Sequence, residues 1–282
     1  MVRLYYKNLG ESKEKNHLGK RKTVEQKHEE MLQRIRGFRL LDDDFMTRCF
    51  EENKEATELV LRIVLEKVDI QVENVITQYS MKNIKGRSVR LDIYATDSQG
   101  KKYNIEIQRV EKGAGAKRAR YNSSLIDSDI LPSGVEVENL AETYVIFITE
   151  MDVIGKNKPI YHIDRYIREA GEFFDDGSHI IYVNASYKDD SELGKLMYDF
   201  SCTDPADMNY PVLADTARYY KEDKEGISTM CKAMEDMITD EKKEIALRLI
   251  ETGKLSLDEI ANCSDLSLDE VQKLADEELQ TV

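Results

Sequence analysis

Three stretches of this chain together predict an α/β fold. Leu91, Ile93 and Ala95, then Tyr103, Ile105 and Ile107, alternate with polar residues on either side of Asp97-Ser98-Gln99-Gly100, the pattern of a β-hairpin. Tyr144 to Thr149 is a continuous apolar run of strand length, which suits a buried parallel strand entered by a helical crossover. Apolar stripes at helical spacing lie on either side of these, Phe45 to Val64 before and Ile227 to Leu249 after. Strands and helices in that order pack as a mixed central sheet flanked by helices.

Taken in order, the chain opens with a polar, basic stretch over residues 1 to about 22 that has no periodicity and reads as a solvated arm. A short helix is expected from Thr23 through Met31 and Ile35 to a stop at Gly37. Asp42, Asp43 and Asp44 then supply an N-cap and first-turn acids for a helix continuing through Phe45, Cys49, Asn53, Val60 and Val64. Glu51, Glu52, Glu55 and Glu58 lie on or beside its edges. Val72 to Ser80 reads as a strand leading through a Lys82-to-Arg87 turn into the hairpin.

In the hairpin, a Ser98-to-Gly100 loop pairs residue 97 with 101 and sets Asp92 directly opposite Glu106. One face is then apolar, and the other carries Arg90, Asp92, Tyr94, Asn104, Glu106 and Gln108. Opposed like charges destabilise a sheet, and two carboxylates about 5 Å apart repel by roughly 3 kcal/mol at an effective dielectric near 20. A bound cation or a shared proton relieves that repulsion. Oxygen ligands without neighbouring His or Cys favour a hard ion, Mg²⁺ or Mn²⁺. The alternative is a solvated outer face on which the two acids splay apart.

Val110 to Ala116 reads as a flexible exit from the hairpin, and Lys117, Arg118 and Arg120 open a helix that includes Tyr121, Leu125 and Ile126. Those cations are placed either to meet phosphate or to line a solvated helix face. Ile160 to Ile163 and His179 to Val183 extend the sheet, and helices follow at Glu192 to Phe200 and Pro211 to Tyr220. After Gly226 only helical patterns remain, beginning with a stripe of Ile227, Met230, Met234, Met237, Ile238, Ile245 and Leu249. Leu-Ser-Leu-Asp-Glu occurs at 255–259 and again at 266–270, so Ser256 with Glu259 and Ser267 with Glu270 fit capping boxes of two short helices. Such a pair resembles a helix-turn-helix, but Asp269, Glu270, Asp276, Glu277 and Glu278 would repel phosphates, so docking or dimerisation suits it better.

Leu91-Asp92, the hairpin and Glu106-Ile107-Gln108 together resemble the PD-(D/E)XK nuclease superfamily, and within it the PD-(D/E)XK nuclease family transposases, relatives of the recombination-promoting nucleases. Arg118 to Leu125, Tyr144 to Thr149, Pro159 to Ile163 and Asp176 to Asn184 are similar to that family as well. The likeness covers roughly residues 40 to 225. It implies a restriction-endonuclease-like core over residues 41–225, preceded by the basic arm and short helix of 1–40 and followed by an all-helical C-terminal extension over 226–282. Leu91 stands where the superfamily motif has Pro, and Gln108 where it has Lys, which removes a cation that could orient water or stabilise charge. The superfamily often takes one more acid from a first helix, and Glu51, Glu52, Glu55 and Glu58 are the four choices considered.

The composition bounds the function. At 282 residues the chain can bury a substantial core. No apolar run approaches the ~18 residues of a membrane span, and the first residues lack a signal peptide's apolar stretch. Cys49, Cys202, Cys231 and Cys263 are widely spaced, which predicts free thiols in a reducing cytoplasm. His162 and His179 sit in strand-like runs, where structural hydrogen bonding is expected. The net charge of −14 argues against a broad basic DNA-binding surface, although residues 1–39 alone carry +6. A nuclease of this charge needs a locally basic cleft.

Two functions from different classes follow. In the first, a metal-dependent endonuclease acts on double-stranded DNA. Asp92, Glu106 and the Ile107 carbonyl hold Mg²⁺ or Mn²⁺, Gln108 positions the attacking water, and Lys117, Arg118 and Arg120 meet the substrate. In the second, the same scaffold serves as a noncatalytic DNA-associated or oligomerising protein, with a homo-oligomer formed through the C-terminal helices.

Overall fold

Acid at the start and base at the end suit a helix dipole, and α1 (Val24–Arg36) carries Glu25 in its first turn and Arg34 and Arg36 in its last. The structure, a computed structural model, describes residues 24–82, 86–109 and 113–280. The expected basic arm lies outside them.

The next apolar stripe was expected to form one helix, but it forms two, α2 (Asp43–Phe50) and α3 (Lys54–Leu65). Glu52 takes a left-handed φ of 53°, and the Asn53 side chain accepts from the Ala56 N–H to cap α3. A capping residue within the stripe thus breaks the helix without breaking its apolar face. Phe45, Phe50, Val60 and Leu61 from both pieces enter one core.

The hairpin forms as predicted. β2 (Val89–Asp97) and β3 (Lys102–Gln108) run antiparallel, with Ile93 opposite Ile105 and Ala95 opposite Tyr103. Asp97 is buried and closes the loop. Its carboxylate accepts from the Gln99 and Lys101 N–H groups and from the Tyr103 hydroxyl, while Gly100 takes φ 82°.

β1 (Val72–Met81) pairs with β2, and here the structure departs from simple alternation. Gln78 takes φ 53° within the strand, and the pairing passes from Thr77–Ile93 to Tyr79–Leu91. Val75 lies in the larger core, whereas Tyr79 and Met81 lie in a second one. Leu91 goes with Tyr79 into that second core, not with Ile93 and Ala95 as the alternation predicts. One left-handed residue turns the end of the ribbon over, and Asp92 stands opposite it at the break.

α4 (Ala116–Ile130) is the crossover to β4 (Thr143–Thr149), which is buried throughout and parallel to β3. β5 (Ile160–Ile163) is an antiparallel edge strand on β8 (Ser178–Asn184), which runs parallel to β4. Between them β6 (Tyr166–Ile167) and β7 (Glu172–Phe173) form a separate two-stranded ribbon. The main sheet has the order β1-β2-β3-β4-β8-β5. α2, α3, α5 (Glu192–Ser201) and α6 (Pro211–Glu222) cover one face, and α4 the other. The architecture is a mixed α/β sheet flanked by helices.

α7 (Lys224–Thr252) leaves this core part-way along its length. Met230 and Met234 are buried, but Met237, Ile238 and Ile245 are exposed, so the expected single apolar stripe is interrupted. Ala246 then packs with Ile260 of α8 (Leu257–Ser264) and Val271 of α9 (Leu268–Gln280) in a small cluster of its own. Both capping boxes are present, with Glu259 on Ser256 and Glu270 on Ser267. Among the described residues no helix is long and apolar enough to cross a membrane.

Candidate active site

Extending the β2–β3 register by one residue sets Asp92 opposite Glu106, at the carboxyl end of β3. Sheets of this kind bind ligands at the carboxyl ends of their parallel strands. In a continued ladder the Ile107 N–H would face Leu91. It donates instead to Asp92 Oδ2 at 2.9 Å, because the pairing has already parted. N–H and C=O of one residue in an extended strand point to the same side, so the Ile107 carbonyl also faces the Asp92 side.

Glu106 is fully buried. Its Oε2 receives Arg118 Nη2 at 3.0 Å, while its Oε1 has no hydrogen-bond partner. Burial raises the Glu106 carboxyl above its ordinary range, and Arg118 offsets only part of that rise. Asp92 is pushed up to about 7 by burial first and by the Glu106 charge second; the Ile107 N–H opposes both.

A cleft of about 1020 Å³ opens over Asp92, and Glu106 reaches it only through its partner Arg118. Arg87 and Arg90 line it on the β1–β2 side, Lys117, Arg118 and Arg120 on α4, and Gln108 and Asp92 at the base. The Tyr121 hydroxyl donates to the Arg87 carbonyl and ties the two walls together. This is the local basicity that a nuclease of net charge −14 requires. All three predicted α4 cations line the cleft, and they are joined by Arg90 of β2, on the face of the predicted acids, and by Arg87, from a turn that the sequence did not mark as functional. Asn122, also on the wall, is buried with both amide atoms unpartnered.

Two further residues escape sequence reasoning. Asp43, read there only as a first-turn acid, lines the cleft, and its charge acts on Asp92. Gln78 Nε2 donates to Asp43 Oδ1 at 3.0 Å and to Thr47 Oγ1 at 3.0 Å, so the left-handed residue of β1 also fixes this acid. None of the four glutamates considered lines the cleft. Glu51 and Glu52 border a separate depression beside Val75 and Ile76. Glu58 pairs with Arg62 at 2.7 Å and accepts from the Val72 N–H, and Glu55 is exposed at the start of α3.

The second residue is Gly113. A Cβ there would lie 1.8 Å from Gln108 Oε1, so the glutamine carboxamide rests directly against its backbone. The segment expected to be a flexible exit is held at its described end. Ala114 is buried, and its carbonyl accepts from the Tyr182 hydroxyl at 2.9 Å. Residues 110–112 lie outside the described residues.

Among the described residues no three His, Cys, Asp or Glu side chains group as a metal cage. The candidate donors are Asp92, which accepts from the Ile107 N–H, the unpartnered Glu106 Oε1 and, from the backbone, the Ile107 carbonyl. All are oxygens. Mg²⁺ keeps several of its waters and takes only one or two carboxylates from a protein, so this set fits it.

No curated protein and no solved structure matches the chain. The sequence model of the PD-(D/E)XK nuclease family transposases matches residues 48–196, a span that holds Asp92, Glu106, Gln108 and all of α4. With its mixed sheet, its opposed carboxylates at a strand end and that match over more than half its length, the chain belongs to the PD-(D/E)XK nuclease family transposases.

Proposed function

We propose that this chain is a divalent-metal-dependent endonuclease that hydrolyses phosphodiester bonds of double-stranded DNA. The observation that carries the reading is Asp92, set opposite the buried Glu106, lining a cleft rimmed by Arg87, Arg90, Lys117, Arg118 and Arg120. Asp92, Glu106 and the Ile107 carbonyl would hold Mg²⁺ or Mn²⁺, which when bound makes water acidic and draws charge from a phosphoryl oxygen. The rim cations bind the phosphates on either side of the scissile bond and fix the strand's path. Gln108, which lines the cleft with Asp92, would hydrogen-bond the attacking water and aim its lone pair at phosphorus, and the water's proton would pass to solvent. Asp43 adds a third carboxylate on the wall. The phosphorus–oxygen bond to the 3′ oxygen would break, and that oxygen would take a proton from solvent water.

Four free cysteines fit a cytoplasmic setting, and exposed Met237, Ile238 and Ile245 are apolar surface through which C-terminal helices could meet a second copy. A noncatalytic DNA-associated scaffold is the second reading. It is favoured by one observation, the neutral Gln108 where a cation would assist the reaction.

Supercoiled plasmid incubated with Mg²⁺ or Mn²⁺ decides between the two. Nicking is expected from the wild-type chain and from neither Asp92→Ala nor Glu106→Ala, with circular dichroism unchanged. A wild-type chain that shifts DNA but never nicks it belongs to the second reading.

A further inference from the structure

Half-buried Asp92 and neutral Gln108 line the cleft, the fully buried Glu106 lies opposite Asp92, and among the described residues Arg118 is the cation paired with Glu106. Arg118 sits one turn into α4 and is 42% exposed, but its guanidinium extends down to the fully buried Glu106 at 3.0 Å. Lys117 and Arg120 line the same wall without an ion pair to either acid. Arg118 therefore spans two environments, the buried carboxylate below and the open cleft above.

We propose that Arg118 is an exchangeable cation that occupies Glu106 until a divalent ion arrives and then serves the substrate phosphate. This inference rests on the nuclease reading and deepens it. In the empty site the guanidinium pairs with this buried carboxylate at 3.0 Å and offsets part of the cost of its burial. A divalent ion needs that same carboxylate, and like charges cannot share it at close range. The displaced guanidinium stays tethered to the cleft wall, where the available anion is a DNA phosphate. Its planar fork suits two phosphoryl oxygens at once. Metal binding thus prepares the cleft for DNA, and by reciprocity a phosphate that draws Arg118 away from Glu106 favours the metal. The device also supplies from the helix a positive charge that Gln108 does not provide from the strand.

The test separates metal binding from catalysis. Mn²⁺ is titrated against the full chain without DNA, with melting temperature as the readout, in wild type, Arg118→Gln and Arg120→Gln. Arg118→Gln is expected to bind Mn²⁺ about tenfold more tightly than wild type, because the competitor has gone. Arg120→Gln loses the same charge from the same helix without a Glu106 contact and should tighten binding much less. On plasmid, Arg118→Gln should lose roughly a hundredfold in nicking, the scale of removing one positioned charge donor. Gln108→Lys added to Arg118→Gln should recover at least tenfold of that loss. Equal or weaker Mn²⁺ binding in Arg118→Gln, or tightening matched by Arg120→Gln, would overturn the exchange. So would wild-type nicking in Arg118→Gln. If no form nicks DNA but the Mn²⁺ order holds, the exchange stands and the nuclease reading falls.

Discussion

Gly113 lies against Gln108 so closely that a methyl group at 113 would be 1.8 Å from Oε1 and 2.9 Å from Cδ. The φ of Gly113 is not left-handed, so the requirement is for space alone. Gly113→Ala should either swing the carboxamide out of place or shift the segment, at a cost of about 1–3 kcal/mol for overpacking. In a Gln108→Ala background the collision disappears, and the same substitution should cost almost nothing. A double-mutant cycle read by urea unfolding measures that coupling. Additive effects would mean that the two residues do not constrain each other.

The Asp92 carboxyl gives the metal-free protein a characteristic pH dependence. Burial and the Glu106 charge raise it from 3.8 to about 7 in the folded chain. The folded state therefore binds the proton more tightly than the unfolded state. The stability this contributes is complete below about pH 4 and is lost as pH rises to 7 and beyond. Allowing for solvent in an open cleft, the loss is on the order of 2 kcal/mol. Asp92→Asn cannot make that loss. In chelator the mutant should match wild type near pH 5 and melt higher at pH 8, and Mn²⁺ at pH 8 should raise wild type alone. A mutant that is less stable at pH 8, with both proteins responding equally to Mn²⁺, would show that the acids are not paired.

The hairpin register was legible in the sequence because period-two alternation and an Asp-x-x-Gly loop leave little freedom. Once residue 97 meets 101, Asp92 must meet Glu106. The parallel strand β4 was legible from an unbroken apolar run for the same kind of local reason. What escaped depends on single residues in exceptional backbone states or on contacts distant in sequence. Gln78 is a polar residue with no mark of a left-handed φ, yet it turns Leu91 over and fixes Asp43. Asn53 looked like one more position of an apolar helix. Gly113 reads as a flexible linker residue because its contact with the Gln108 carboxamide, five residues earlier, leaves no mark in the local pattern.

Lys221 offers a test of the helical layer. It is buried, and its ammonium donates to the backbone carbonyls of Arg36, Phe38 and Thr203 while lying 5.0 Å from the Phe45 ring centroid. It thereby ties the end of α1 to α2, α5 and α6. Lys221→Met keeps much of the volume but leaves buried carbonyls without a donor, which should cost roughly 3 kcal/mol. The urea midpoint should fall accordingly, with Asp92-dependent Mn²⁺ binding retained in the folded protein. An unchanged midpoint would mean that water or local rearrangement satisfies those carbonyls.

The acidic C-terminal pair of helices should be dispensable for DNA contact. α8 and α9 pack on the far end of α7 through Ala246, Ile260 and Val271, a cluster separate from both cores that shape the cleft. Residues 269–278 also carry five acids, Asp269, Glu270, Asp276, Glu277 and Glu278. Ending the chain before Lys254 removes this negative charge without touching Asp92, Glu106 or the cations of α4. DNA affinity should be unchanged or slightly tighter, the gain appearing at low salt, where repulsion between acids and phosphates is least screened. The melting transition of the remaining sheet should persist, although Leu249 and Ile250 lose their cover and solubility should fall. Fluorescence anisotropy with a duplex at two salt concentrations, alongside a sizing measurement, reads all of this. A large loss of affinity with the oligomeric state preserved would mean that this pair contacts DNA as a helix-turn-helix despite its charge. A loss that accompanies dissociation would instead assign it to holding two copies together.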